Sequence, residues 1–160
     1  MALTQSAWSS KTVNGLAIHT CTVTATTAEN DAYTLKTPAE LDVKKPWTLV
    51  VKTSAASDGA AVPLDLWVGY SKNFDLSGDS TTVAATDGVN YKQITDDIGY
   101  GGASSACFYF DPQQAVTDVV TIAAIASGYK VKIPIAPFYA FNLDGGSTLL
   151  AHTATYVIIQ

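Results

Sequence analysis

Apolar and polar residues alternate along most of this chain with a period of two, which is typical of β-strands whose two faces differ. Residues 16–27 place apolar side chains on one face and threonines on the other, and residues 62–71 alternate in the same way. Residues 46–53 form a mostly apolar run that starts at a proline. The Asp58-Gly59 turn signal between the last two runs predicts that they pair as antiparallel strands.

Further strands are predicted at residues 81–85, 89–94, 106–110, 129–135, 138–143 and 149–159. A short helical turn is predicted within residues 38–45. Residues 112–126 allow two interpretations. Asp111 and Pro112 resemble a helix start, whereas the many β-branched residues that follow favour a turn and then a strand. We favour the strand, and the pattern leaves the helix open.

Roughly eight to ten short strands separated by turns predict an all-β fold, namely a single antiparallel β-sandwich or jelly-roll-like domain. We expect this domain to span residues 16–160. Residues 1–15 are polar apart from Leu3 and Trp8, and they predict an extended N-terminal arm. Trp8 either docks this arm on a neighbouring subunit or packs a loose terminus on its own domain, and both remain open.

Charge is the unusual feature of the composition. Charged residues make up 14% of the chain, against about 25% in an average soluble domain. Nine lysines, no arginine and 14 acids give a net charge of −5, which argues against partners such as nucleic acid or an anionic membrane. No apolar run reaches the roughly 20 residues of a membrane span, and no secretory signal is visible, so we expect synthesis in a cytoplasm.

Metal and cofactor sites receive little support from the sequence. Cys21 and Cys107 lie far apart in strand-like segments, which favours buried free thiols and leaves a disulfide open as the alternative, and their spacing to the two histidines does not suggest a zinc site. Asp75, Asp79 and Asp87 lie in or near a polar loop that offers oxygen ligands for calcium, but no calcium-binding motif is present. The prediction is therefore that the protein has no metal and no cofactor.

Catalysis is equally weakly supported. His19 and His152 lie inside strand-patterned runs, where a hydrogen-bonded structural histidine is the expected role, and no GxSxG motif is present. A hydrolase would need one of these histidines beside a serine or an acid in a cleft. The sequence therefore predicts a protein that is not an enzyme.

Several segments of the chain resemble segments of a known class of proteins. They are the hydroxyl-rich stretch TVTATTAENDAYTLKTPAELDV, the strands WTLVVKT and VPLDLWVGYS, and the closing AFNLDGG followed by TYVIIQ. Together they resemble small virion proteins of tailed bacteriophages, and capsid decoration (cement) proteins above all. The resemblance implies a β-rich homotrimer that binds the major capsid protein on the capsid exterior, braces the shell and is made in the host cytoplasm.

For such a protein we expect partner contacts at Trp8 in the arm, at Tyr100 in a glycine-rich loop and at Tyr156 in the C-terminal strand. The alternatives are another phage structural subunit, from the tail tube, neck or fibre, or a glycan-binding β-sandwich module. A glycan-binding module would use exposed rings as a stacking platform. The candidate rings are Trp67, Phe138, Tyr139 and Phe141, although core packing is favoured for most of them.

Overall fold

The computed structural model describes residues 3–25, 34–53, 62–69, 91–93, 98–100, 105–114, 130–136, 138–143 and 152–160. Within these ranges the chain forms β-strands and turns and no helix, so the all-β prediction is confirmed at that level. In chain order the strands are β1 (Leu3–Gln5), β2 (Ser9–Val13), β3 (Leu16–Ala25), β4 (Thr34–Lys36), β5 (Trp47–Thr53), β6 (Val62–Gly69), β7 (Tyr91–Gln93), β8 (Ile98–Tyr100), β9 (Ser105–Gln114), β10 (Lys130–Pro134), β11 (Phe138–Leu143) and β12 (His152–Ile159).

The larger sheet has seven strands in the order β1-β3-β12-β5-β9-β10, with β2 also paired to β3. β1 and β2 follow one another along the same edge of β3, opposite residues 23–25 and 16–20. β9 and β10 are parallel, which corrects the expectation of a purely antiparallel sheet. A parallel pair needs a connection of a dozen residues or more, and residues 115–129 between these strands are long enough to provide it.

The smaller sheet has five strands in the order β4-β11-β6-β7, with β8 also paired to β6. Its described pairs are all antiparallel. The predicted hairpin of β5 and β6 is wrong, because the two strands belong to different sheets. β5 pairs with β12 along one edge and with β9 along the other, so neither edge is left for β6.

Both sheets contribute to one hydrophobic core. Its buried members are Cys21, Val23, Leu35, Leu41, Trp47, Leu49, Val51, Phe108, Phe110, Val131, Ile133, Ala136, Tyr139, Ala154, Tyr156 and Ile158. Trp47 lies where the sheets meet, with its ring 4.6 Å from that of Phe110 in the larger sheet and 5.3 Å from that of Tyr139 in the smaller one. Such aromatic pairs add about 0.5–1.5 kcal/mol to the stability gained by burial alone.

Two hydrogen-bonded turns replace the helical turn that was predicted within residues 38–45. Leu41 N–H donates to the carbonyl of Pro38 at 3.2 Å, and Lys45 N–H donates to that of Asp42 at 3.1 Å. The side chain of Gln160 holds the second turn, since its Oε1 accepts from Asp42 N–H at 2.9 Å and its Nε2 donates to the Asp42 carbonyl at 2.8 Å.

The N-terminal segment is part of the larger sheet. Residues 9–20 form a β-hairpin whose two turn residues, Asn14 and Gly15, have φ angles of 50° and 80°. Positive φ at both central positions defines the type I′ turn, whose twist suits a two-residue hairpin. The segment predicted as an extended arm therefore lies along β3 over its described residues.

The segment predicted as either helix or strand is described in part. Residues 111–114 are the last residues of β9, so Asp111 and Pro112 do not begin a helix. The rest of that segment, and the strand predicted at residues 81–85, lie outside the described residues.

Candidate protein-interaction face

Alternate residues of the larger sheet point away from the core. On β5, for example, Trp47, Leu49 and Val51 are buried, whereas Thr48 and Val50 between them are partly exposed. The partly or fully exposed residues on this second side of β3, β5, β9, β10 and β12 are here called the outer face. They are Leu16, Ile18, Thr20, Thr22, Thr24, Thr48, Val50, Lys52, Cys107, Tyr109, Gln113, Lys130, Lys132, Thr153, Thr155, Val157 and Ile159.

Strand register divides the outer face into a hydroxyl half and an apolar half. In the hydroxyl half, Thr24 lies opposite Thr153 with their Oγ1 atoms 3.2 Å apart, and Thr22 lies opposite Thr155. The apolar half contains two rows that cross the sheet. One row runs Ile18, Ile159, Thr48, Tyr109, and the next runs Thr20, Val157, Val50, Cys107.

Lysines dominate the charge of the outer face. Lys52 and Lys132 are exposed, and the exposed ammonium of Lys130 lies 3.2 Å from Oδ2 of Asp111. Asp111 is 5% exposed, and its Oδ2 also accepts a hydrogen bond from Gln113 at 2.7 Å. The single carboxylate at this side of the described sheet is therefore already paired, although the whole chain has a net charge of −5.

Tyr109 is the aromatic side chain that the outer face presents to solvent, with 43% of its surface exposed. A side-chain hydrogen bond with Cys107 raises the pKa of Tyr109, and the charge of the Cys107 thiolate raises it further. Tyr109 was not among the predicted contact residues. The sequence contained a signal for this position, because successive side chains of a strand point to opposite faces and Tyr109 lies between two phenylalanines. Phe108 and Phe110 are buried, so Tyr109 points outward.

The three residues predicted to contact partners differ in their burial and in the elements that hold them. Trp8 is partly buried and packs against the core of its own domain, which favours the second of the two roles considered for it. Tyr100 lies in β8, paired with Val62 of β6, instead of in a loop, and its side chain is outside the described part. Tyr156 has no exposed surface, so its proposed role as a contact residue is wrong. β12 has neighbours on both edges, and Tyr156 is on the core side of that strand.

A serine and a histidine meet at the base of the N-terminal hairpin. Ser10 Oγ lies 2.8 Å from Nδ1 of His19, on adjacent strands. A catalytic pair of this kind needs a third group that orients the histidine. His19 is 3% exposed, and its Nε2 has no hydrogen-bond partner in the described part of the chain. The arrangement fits a structural contact between β2 and β3.

The described cysteines do not form a disulfide. Cys21 is buried, as predicted, and burial raises the pKa of its thiol, an effect partly offset by a hydrogen bond with Ser6. Cys107 is only partly buried. Among the described residues, no group of His, Cys, Asp and Glu is arranged to hold a metal ion. The aspartates considered for calcium, Asp75, Asp79 and Asp87, lie outside those residues.

The ring platform expected of a glycan-binding module loses one of its four candidates. Tyr139 is fully buried and contacts Trp47 in the core, so it cannot stack on a sugar. The side chains of Trp67, Phe138 and Phe141 are outside the described part. As for membranes, the described residues contain no helix with the length and apolar character of a membrane span.

Comparison of the chain with protein-family models, with curated proteins and with solved structures gives no match. Evidence for the function therefore comes from the residues of the chain and from the geometry of the outer face.

Proposed function

We propose that this chain is a structural virion protein of a tailed bacteriophage, a capsid decoration or cement protein that binds the outside of the head and stabilises it. The observation that supports this proposal best is the outer face of the larger sheet. Its threonines and aliphatic side chains cost little to desolvate, and its unpaired charges are lysines at the border. A surface of this composition is suited to protein–protein contact.

The finer architecture belongs to the same proposal. We infer that the two sheets form a β-sandwich or jelly-roll-like domain, because Trp47 in one sheet and Tyr139 in the other share a core. In a sandwich, one side of each sheet is buried against the other sheet and the opposite side is available for contacts. The outer face is then the free side of the larger sheet.

The exposed lysines of the outer face predict the charge of the shell surface that this face would bind. Lys52 and Lys132 have exposed side chains and form no ion pair with the described residues, so carboxylates on the shell would complement them. Charges at the rim of an interface mainly raise the association rate and fix the orientation. We therefore expect the shell to present acidic groups around an apolar patch that meets Val50, Val157 and Tyr109.

We further propose that several copies assemble on the shell, as in a homotrimer, so that contacts between neighbouring copies add to the area that each outer face buries. Trp8, which keeps part of its surface exposed although it packs on its own core, and Tyr100 stay as candidate residues for such contacts, whereas Tyr109 belongs to the face directed at the shell.

Mass photometry combined with capsid co-sedimentation tests this function. The purified protein is expected to be a trimer, or to form one on the shell, and to sediment with capsids assembled from the major capsid protein of the same genome. A ring of more than three copies that does not sediment with capsids would instead indicate a tail-tube or neck subunit. A monomer that does not sediment with capsids and is stabilised by a sugar in a thermal-shift panel would contradict the proposal.

A Val50→Asp variant assigns the binding to the outer face. It places a charge at the centre of the apolar half and should abolish co-sedimentation. Glu40→Gln, which changes an exposed residue outside the sheets, is the matched control and should bind like the unmodified protein. Equal melting temperatures of the two variants would show that the loss of binding is not a loss of fold.

A further inference from the structure

β2 is an exposed edge of the larger sheet. It pairs with β3 along one side, and all five of its residues are exposed. Among the described strands β3 is its only neighbour. A strand in this position offers a row of backbone donors and acceptors to an extended segment of another chain.

The hairpin register shows which backbone groups point outward. In a hairpin with a two-residue turn, the flanking pair, Val13 and Leu16, is hydrogen-bonded, and bonding then alternates along the strands. Thr12 and Ala17 are consequently a pair without mutual bonds. In agreement, Ala17 exchanges both of its backbone hydrogen bonds with Gln160, at 2.9 Å each. The N–H and C=O groups of Ser10 and Thr12 therefore face away from β3.

Lys11 lies between these two residues, at the centre of the edge. The described ion pairs are Lys45–Asp42 and Lys130–Asp111, so Lys11 has no carboxylate partner in the described part of the chain. Two β2 strands in full antiparallel overlap would place Lys11 opposite Lys11 of a second copy. Like charges directly opposite one another destabilise a strand pair, so the edge disfavours self-pairing and favours an acid at that position.

We propose that β2 binds an extended segment of a partner protein as an added antiparallel strand, with a carboxylate of that segment opposite Lys11. Backbone hydrogen bonds to Ser10 and Thr12 hold the segment, and Lys11 selects its register. The inference goes beyond the proposed function, because it names a second surface and the chemistry of its occupant, and it does not require a capsid.

The hairpin holds this edge in the conformation that binding requires. The Asn14-Gly15 turn fixes the connection, and the Ser10–His19 hydrogen bond of 2.8 Å ties β2 to a buried side chain of β3. Docking therefore orders only the incoming segment, which reduces the entropy lost on binding.

Two capped peptides test the proposal. Both alternate threonine and valine, and one carries glutamate at its centre where the other carries lysine. In an NMR titration of the full chain, the glutamate peptide should shift the amide resonances of residues 9–13 and bind about tenfold more tightly than the lysine peptide, because an attractive cross-strand pair replaces a repulsive one. A Lys11→Glu variant should reverse the preference.

A variant of the edge itself tests the backbone contacts. Thr12→Pro removes one outward N–H and no bond to β3, so it should abolish peptide binding while the melting temperature stays close to that of the Thr12→Val control, which should bind. If Thr12→Pro does not fold, a glutamate peptide N-methylated along its bonding edge gives the same test and should not bind.

Three results would overturn the proposal. They are equal binding of the two peptides, resonance shifts that map away from residues 9–13, and a dimer of the unmodified protein that Thr12→Pro abolishes. The last result would make a second copy the occupant. Peptide binding and capsid co-sedimentation are separate readouts, so failure of this inference is distinguishable from failure of the proposed function.

Discussion

Single residues determine the local geometry on which the larger sheet depends. Asn14 and Gly15 both adopt positive φ angles, which side chains with a Cβ atom disfavour and glycine tolerates. Asp42 closes a turn by accepting the N–H of Lys44 at 3.1 Å and by pairing with Lys45 at 3.2 Å. Each of these residues acts on backbone conformation, so its replacement should have a measurable and local effect.

Replacing Gly15 by alanine should destabilise the hairpin. The space around Gly15 is open, with no heavy atom of any residue beyond its two chain neighbours within 4 Å of the position that a Cβ atom would occupy, so the cost comes from the φ angle of 80° alone. That cost is about 1–2 kcal/mol. Urea unfolding should show it for Gly15→Ala, whereas Asn14→Gly should be neutral or slightly stabilising. Equal stability of Gly15→Ala and the unmodified protein would contradict the turn assignment.

Asp42 should contribute stability that disappears in acid. The Lys44 N–H hydrogen bond and the Lys45 ammonium lower the pKa of Asp42 below its ordinary value of 3.8. A carboxyl group whose pKa is lower in the folded state stabilises the fold above its unfolded pKa, and this stability is lost as the pH falls through the folded pKa. Asp42→Asn should therefore be less stable than the unmodified protein at neutral pH.

The difference should vanish well below pH 3.8, the pH range in which Asp42 becomes protonated in both states. Urea unfolding at neutral and acid pH measures it, and Glu40→Gln is the control at a neighbouring exposed carboxylate. A stability difference that persists in acid would contradict this account of Asp42.

Among the structural elements, the parallel pair of β9 and β10 depends on a contact between its own two strands. Asp111 near the end of β9 is 5% exposed and pairs with Lys130 at the start of β10. Parallel strands are slightly less stable per residue than antiparallel ones. We infer that this ion pair fixes β10 at the edge of the sheet.

Removing one partner of the Asp111–Lys130 pair should cost more than removing both. Lys130→Met keeps most of the aliphatic stem but leaves a nearly buried carboxylate with Gln113, and it should destabilise the protein by about 1–3 kcal/mol. Adding Asp111→Asn should restore part of the loss, which urea unfolding of the single and double variants measures. Lys132→Met, an exposed change on the same strand, should be nearly neutral. Additive effects would show that the two residues do not interact.

Strand positions follow from local pattern, whereas strand pairing does not. β11 occupies the predicted residues 138–143, and β12 begins three residues after the predicted start at residue 149, since period-two alternation is a local property. The pairing of β5 with β12 and β9 joins residues about fifty to one hundred positions apart and has no local signal. The outer face could not be predicted from the sequence for the same reason, because the residues that form it depend on which strands are neighbours in the sheet.

The N-terminal hairpin is a different case, because its signal was present in the sequence. Asn14-Gly15 is the strongest short hairpin motif. The polar residues 9–13 that precede it predicted an arm instead, since an edge strand exposed on both faces lacks the alternation by which buried strands are recognised.

At the scale of the whole molecule, charge is distributed unevenly. The described outer face and β2 carry Lys11, Lys52, Lys130 and Lys132 against the single carboxylate of Asp111, in a chain whose net charge is −5. This polarity gives the molecule a preferred orientation toward an acidic partner. It also predicts that docking depends on salt.

Charge reversal at the border of the outer face should weaken docking mainly through the association rate. Lys52→Glu combined with Lys132→Glu should slow binding to capsids by about tenfold at low salt, and the difference should shrink as salt rises. Lys44→Glu, outside the sheets, is the matched control. An association rate that is unchanged in the double variant, or a difference that does not respond to salt, would show that these lysines do not face the partner.

Cryo-electron microscopy of the protein bound to capsids from the same genome would show whether the outer face of the larger sheet is the docking surface. We expect density on the shell exterior at symmetry-related positions, with the outer face of the larger sheet, including Val50 and Tyr109, directed at the shell. Capsids that carry no additional density, or bound copies whose outer face is turned to solvent, would contradict it.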